Sequence, residues 1–165
     1  MLAEKVKESF ANHPNPGHLQ IWFEPGKFLV SEAGYFITRV NVLKKTSSTV
    51  FAGVNSGFNH LIRPMFYNSY HRIENISNET GPRKIYTVVG NICETDTFAE
   101  DREINEIKEG DYLVFYNAGA YGFEMSSNFN SRLKPAEVLV KNGTPVLIRR
   151  RDVFEDLLRN QLEAQ

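Results

Sequence analysis

Six runs of β-branched and aromatic residues constrain this chain more than any other feature. They are Phe28–Leu43, Thr49–Val54, Ile85–Gly90, Tyr112–Tyr116, Ala136–Val140 and Val146–Arg149, each bounded by Gly, Pro, Asn or Asp. Such runs suit pleated, half-buried strands. Lys141-Asn142-Gly143-Thr144 joins the last two, and Asn-Gly accepts the positive φ angles of a type I′ hairpin turn. Glu109-Gly110-Asp111 marks another turn into a strand. Short strands with turn signals between them predict a mainly β fold, an antiparallel barrel or sandwich.

The two ends read differently. Leu2, Val6 and Phe10 recur four apart with Lys and Glu between them, a helical stripe. That helix must stop near Asn12, where His13-Pro14-Asn15-Pro16-Gly17 breaks it. Leu19-Gln20-Ile21-Trp22-Phe23 has the length of a buried strand, and Glu24-Pro25-Gly26 ends it. A helix, a turn and a strand cannot bury both faces alone, so this stub reads as the last piece of a larger α/β structure. At the other end Asp152 is placed to cap a closing helix, with Glu155 three residues on and Val153, Leu157 and Leu158 as its apolar face. The predicted organisation is an α/β stub over 1–26, a β body over 27–150 and a C-terminal helix over 151–165.

Composition narrows the function. The 165 residues suffice for one domain with a real core, and twelve Phe, seven Tyr and one Trp exclude disorder as its main description. Nineteen Lys and Arg against twenty Asp and Glu leave a formal charge of −1. Phosphate-driven nucleic-acid binding needs a basic excess, so no nucleic-acid partner is expected, and Arg149-Arg150-Arg151 reads as a solvated strand end. The single cysteine, Cys93, can close no internal disulfide and build no Cys-rich metal site. A reducing compartment follows. MLAEKVKESF is too charged for a secretory signal and no apolar run spans a membrane, so the expected location is the cytoplasm, without a membrane partner. Asn75, Asn78 and Asn142 head N-x-[ST] triplets that are read as chance matches.

Four motifs in order carry more. They are Phe23-Glu24-Pro25-Gly26-Lys27; Leu61-Ile62-Arg63-Pro64-Met65-Phe66-Tyr67 with Tyr70-His71; Gly90-Asn91-Ile92-Cys93-Glu94-Thr95-Asp96; and Asn117-Ala118-Gly119-Ala120-Tyr121-Gly122, continuing through Met125-Ser126-Ser127-Asn128-Phe129-Asn130. In this order, and with Pro135-Ala136-Glu137-Val138 and Ile148-Arg149-Arg150-Arg151 after them, they resemble the C-terminal part of the fold-type III pyridoxal-phosphate-dependent amino-acid decarboxylases. The branch resembled most is diaminopimelate decarboxylase. The resemblance runs from Trp22 onward. It implies an N-terminal (β/α)8 barrel that carries the cofactor lysine, which this chain has no room for at ~250 residues. Residues 1–26 then resemble the end of that barrel, and the chain reads as a C-terminal domain, inactive alone.

The resemblance also assigns roles. Glu24 and Gly26 would lie at the cofactor phosphate, where a glycine lets the backbone approach an anion; the plain reading is a Pro-Gly turn after a strand. Lys27 stands where the family more often has Arg, and would meet a substrate carboxylate as a point charge rather than a fork. Arg63 and Tyr67, four apart, would hold the distal carboxylate of diaminopimelate, a group ornithine and lysine lack. Cys93 would be the catalytic proton donor after CO2 leaves. The carboxylate of Glu94 beside it opposes thiolate formation and would take the distal ammonium. Tyr121, flanked by small residues, would reach the phosphate. Taken singly, Arg63 also reads as a surface cation, Cys93 as a small buried hydrophobe, and Tyr67 and Tyr121 as core aromatics. His71 and Asp96 read as satisfied structural groups. The resemblance further implies a homodimer whose Cys93 loop serves the neighbouring site, an amino-acid substrate, and no metal. A non-catalytic β module derived from the family, or a decarboxylase of another basic amino acid, stays open.

Overall fold

The computed structural model describes residues 2–163. Eight strands and four short helices are formed among them. They are α1 (Leu2–Ala11), α2 (Gly26–Val30), β1 (Phe36–Lys45), β2 (Val50–Val54), α3 (Arg63–Tyr67), β3 (Ile73–Asn75), β4 (Arg83–Val89), β5 (Thr97–Asn105), β6 (Tyr112–Phe115), β7 (Glu137–Lys141), β8 (Thr144–Arg149) and α4 (Phe154–Leu158). Of these, β3, β5, α2 and α3 are additional to the elements expected from the sequence. The first six strands make one sheet in the order β3-β6-β1-β2-β4-β5. Its two edges, β3 and β5, meet, so the sheet curls into a nearly closed barrel. Side-chain amides latch the seam: Asn75 and Asn78 each donate to the Glu106 carbonyl at 2.9 Å, and Asn105 donates to the Asn78 carbonyl at 3.1 Å.

The core follows from the strand runs. Val40, Ala52, Val54, Val88, Leu113 and Phe115 are fully buried together with Leu61. Phe36, Phe98 and Phe115 stack at 5.1 to 6.3 Å between centroids. One pair departs from the expected antiparallel pattern: β2 and β4 run parallel, Ala52 facing Val88. A parallel pair needs a long crossover, and the connection over 55–82, holding α3 and β3, supplies it.

β5 lies where no strand was expected. Its middle, Glu100-Asp101-Arg102-Glu103, is charged, while Phe98, Ala99 and Ile104 are buried. Pairing with β4 skips there, Tyr86 facing Arg102 and Val88 facing Ala99, with Asp101 at φ 47°. That bulge switches the buried face and hides the alternation. Conversely, Leu19–Phe23 is no strand: among the described residues nothing pairs with it, and Trp22 stays 85% exposed. Phe28–Val30 is helix instead of strand, with β1 starting at Phe36.

β7 and β8 form a separate hairpin with Asn142 and Gly143 at φ 51° and 77°, the expected primed turn. Helix α1 ends at Ala11 with Val6 and Phe10 half-buried; the Leu2 side chain lies outside what is described. The cap of α4 is Val153, not Asp152. Its N–H donates to the Asp156 carboxylate at 2.9 Å. Asp152 turns away to accept from the Lys134 N–H and the Asn128 amide, both at 3.1 Å. The expected helix over 151–165 is only the five residues Phe154–Leu158, and residues 164–165 lie outside the described part.

Candidate active site

One group of expected site residues meets where α3, which packs on β5, comes against the segment that follows β6. Pro64 opens α3, its missing N–H costing nothing in the first turn, and Asn68 at φ 50° closes it. One turn therefore stacks Arg63 beside Tyr67, with the guanidinium 5.1 Å from the Tyr67 ring centre. The same guanidinium lies 5.5 Å from the ring of Tyr121. Its Nη2 donates to Ser69 Oγ at 3.2 Å, and its Nε is buried without a partner.

Tyr121 holds φ at 58°, a conformation a bulky residue adopts only under constraint. The constraint is the packing of the segment after β6 onto the end of α2 and the turn that follows it. Ala118 N–H donates to Gly34 O at 2.9 Å, and Gly119 N–H to Ser31 O at 3.0 Å. A Cβ on Gly119 would lie 2.0 Å from the Val30 carbonyl, so only glycine fits. The Tyr121 hydroxyl reaches Gly26, where a Cβ would stand 2.8 Å from it. Gly26 offers room rather than a free donor, since its N–H already meets the Glu24 carbonyl at 2.8 Å. Glu24 and Lys27 are exposed at the same rim.

His71 lies behind this face. It is buried, and its Nδ1–H donates to the Tyr116 carbonyl at 2.8 Å, which leaves Nε2 as an unpartnered acceptor. Burial lowers its pKa, and the positive charges of Arg63 and Lys27 lower it further. The ring is neutral at pH 7. Ser69, which orients Arg63, went unnoticed in the sequence, because a lone serine after a turn carries no signal there.

Cys93 and Glu94 belong to a second group. They are exposed at the tip of the loop over 90–96 between β4 and β5. Among the described residues no hydrogen bond, ion pair or ring contact joins them to Arg63, Tyr67 or Tyr121. The loop is anchored at its neck by Asp96, whose carboxylate accepts from Phe58 N–H at 2.6 Å and Ile92 N–H at 3.0 Å. Burial raises the Asp96 pKa; those two hydrogen bonds oppose the rise and the Glu94 charge adds to it. Among the described residues no cluster of three or more His, Cys, Asp or Glu is placed to hold a metal, and no helix is long and apolar enough to cross a membrane.

Residues 27–119 match the family model described as "Pyridoxal-dependent decarboxylase, C-terminal sheet domain". The chain is 50% identical over 149 residues to a diaminopimelate decarboxylase of Methanothermobacter thermautotrophicus, covering 88% of this chain and 34% of that one. It is 44% identical over 175 residues to that of Escherichia coli, covering 98% and 41%. Among solved structures, the diaminopimelate decarboxylase of M. jannaschii in complex with L-lysine superposes with a TM-score of 0.86 at 30% identity, over 99% of this chain and 38% of that one. The chain thus spans about a third to two-fifths of the length of these relatives.

Proposed function

Since the chain belongs to the pyridoxal-dependent decarboxylases, by their C-terminal sheet domain, we propose that it supplies the substrate-recognition and proton-donor half of a diaminopimelate decarboxylase. The reaction would convert meso-diaminopimelate to L-lysine and CO2 in the cytoplasm. The relatives' shared activity supports the substrate, as does the L-lysine held by a structural neighbour. The observation that carries the reading is the meeting of Arg63, Tyr67 and Tyr121, with the Tyr121 hydroxyl against Gly26.

The face fits the cofactor. A phosphate at this rim would meet the Tyr121 hydroxyl as a hydrogen-bond donor, which the absence of a side chain on Gly26 lets pack close to the backbone. Pyridoxal 5′-phosphate, when bound, supplies the electron sink for loss of CO2. This chain's residues choose which carboxylate leaves. Arg63, with Tyr67 beside it, holds the distal carboxylate, and Lys27 adds positive charge at the rim. Neutral His71 leaves the pocket's cationic charge on Arg63 and Lys27. Cys93 Sγ gives a proton to the carbon that has lost CO2, so a C–C bond is exchanged for C–H. Glu94 binds the distal ammonium.

Among the described residues no hydrogen bond or ring contact joins Cys93 to Arg63, which is compatible with a homodimer in which each Cys93 loop completes the partner's site. Residues 1–26 are the end of the barrel that would carry the cofactor lysine. The decisive experiment is Arg63→Ala in the full-length decarboxylase carrying this domain. kcat/KM for meso-diaminopimelate should fall by about 2 kcal/mol, roughly thirtyfold, while lysine and ornithine gain relatively. An unchanged substrate ratio would remove Arg63 as the clamp.

A further inference from the structure

We propose that Asp96 is the positioning residue that presents Cys93 and Glu94 to the reaction. The proposal rests on the roles given to those two residues above and adds one the resemblance did not assign. Asp96 is 6% exposed, in a loop whose tip is open. Its side chain joins two separate loops. One oxygen takes the N–H of Ile92, next to Cys93; the other takes the N–H of Phe58, in the connection that follows β2. Its carbonyl takes the N–H of Gly90 at 2.7 Å, which closes the neck.

The backbone is cut to admit this carboxylate. A Cβ on Gly90 would stand 1.9 Å from the Asp96 oxygen that holds Ile92, and one on Gly57 would stand 2.8 Å from it. Two glycines therefore open the seat, one on each joined loop. Asn91 N–H, donating to Ser56 O at 2.9 Å, and buried Ile92 tighten the same joint. From the outside Arg132 donates to the Asn91 carbonyl at 3.3 Å. The three residues between Ile92 and Asp96 are exposed. They project from a rigid base instead of swinging with a free loop. A proton donor gains from this, since displacement of a reacting group by about 1 Å can cost a hundredfold in rate.

The alternatives for a buried carboxylate are poorer. Among the described residues no cation forms an ion pair with Asp96. The two backbone donors are what it serves, and Asn at this position could satisfy only one of them.

Asp96→Asn in the full-length decarboxylase tests the proposal. kcat should fall about ten- to a hundredfold through the displaced Cys93, and KM for meso-diaminopimelate should rise through the displaced Glu94, while the preference for meso-diaminopimelate over lysine and ornithine is kept, because the Arg63 face is untouched. Amide exchange should quicken about tenfold at Ile92 and Phe58 and stay unchanged at Val88 and Leu113 in the core. A general loss of structure would move the core amides too. Gly90→Ala, which pushes the carboxylate from its seat by steric means, should reproduce the same kcat loss if Asp96→Asn does not fold. Wild-type kcat in both variants, where Cys93→Ala is impaired, would overturn the proposal and leave the Cys93 reading standing. Impaired Asp96→Asn with a fully active Cys93→Ala would instead retire the proton-donor role and leave Asp96 as the anchor of Glu94.

Discussion

The Arg63 face and the Cys93 loop are built by opposite means. The first is a steric construction: backbone lies on backbone at Gly34 and Gly119, and this forces Tyr121 into a left-handed conformation against Gly26. The second hangs on one buried carboxylate that collects N–H groups from two loops. The difference teaches how each should fail. The first is vulnerable to a single added methyl far from any substrate, the second to the loss of a hydrogen-bond acceptor.

The contrast is broken most strongly at the reacting thiol. Cys93→Ala in the full-length decarboxylase should lower kcat by about a hundredfold or more, the usual worth of a positioned proton donor, with KM nearly unchanged. Lysine release under saturating substrate reads it. An unaltered kcat would leave the loop a purely structural projection.

Next in size is the steric side. Gly119→Ala should cost about 2–3 kcal/mol in urea unfolding, because its Cβ would meet the rigid Val30 carbonyl at 2.0 Å. Gly143→Ala supplies the control. That glycine has φ at 77° but open space around it, so only about 1–2 kcal/mol of backbone strain is expected. Equal losses would mean that the α2 contact is not rigid.

A mixing experiment asks whether the two halves work in one subunit. Inactive Cys93→Ala and inactive Arg63→Ala proteins, allowed to exchange, should recover roughly a quarter of wild-type activity. Half the dimers would be mixed, each with one whole site, assuming independent sites. No recovery, with exchange shown by mass, would put Cys93 and Arg63 in the same site.

The smallest effect is a pH dependence shared by both halves. His71 lies behind Arg63 and faces Arg63 and Lys27; His60, hydrogen-bonded to Ser56 and the Leu133 carbonyl, faces Arg132, Arg151 and Asp152. Burial is the main cause that lowers both pKa values. The unfolded chain therefore binds protons that the folded chain refuses. Stability is complete above about pH 6.5 and declines as the pH falls below it, until each folded-state histidine is itself protonated. A drop in Tm of a few degrees between pH 7.5 and 5.5 is expected, shrinking in His71→Gln and again in His60→Gln/His71→Gln. A flat Tm profile would show that both rings titrate as they do in water.

Much of this was legible residue by residue. The β7–β8 turn followed from Asn142-Gly143, whereas α3 was not read from the Pro one step inside its start. The four motifs marked Gly26, Arg63, Cys93 and Tyr121 before any geometry was known. β5 was not legible, because a bulge at Asp101 breaks the alternation that identifies a strand. Leu19–Phe23 was misread for the converse reason: a strand is defined by its neighbour, and an apolar run says nothing about whether one is there.

Local chemistry alone therefore determined where the chain can turn, which runs can pleat, and which residue types can bind a carboxylate or give a proton. Tertiary structure decided which of them are covered. Val138, Leu139 and Val140 of β7 resemble Val50–Val54 in composition, yet they stay about half or more exposed while Ala52 and Val54 are sealed. Glu94 and Asp96 are two residues apart with the same functional group. One stands at the exposed tip, and the other is buried where two glycines make room for it. The reason is physical: burial and hydrogen-bond partners are supplied by elements distant in the chain, and no local pattern encodes which distant element will arrive.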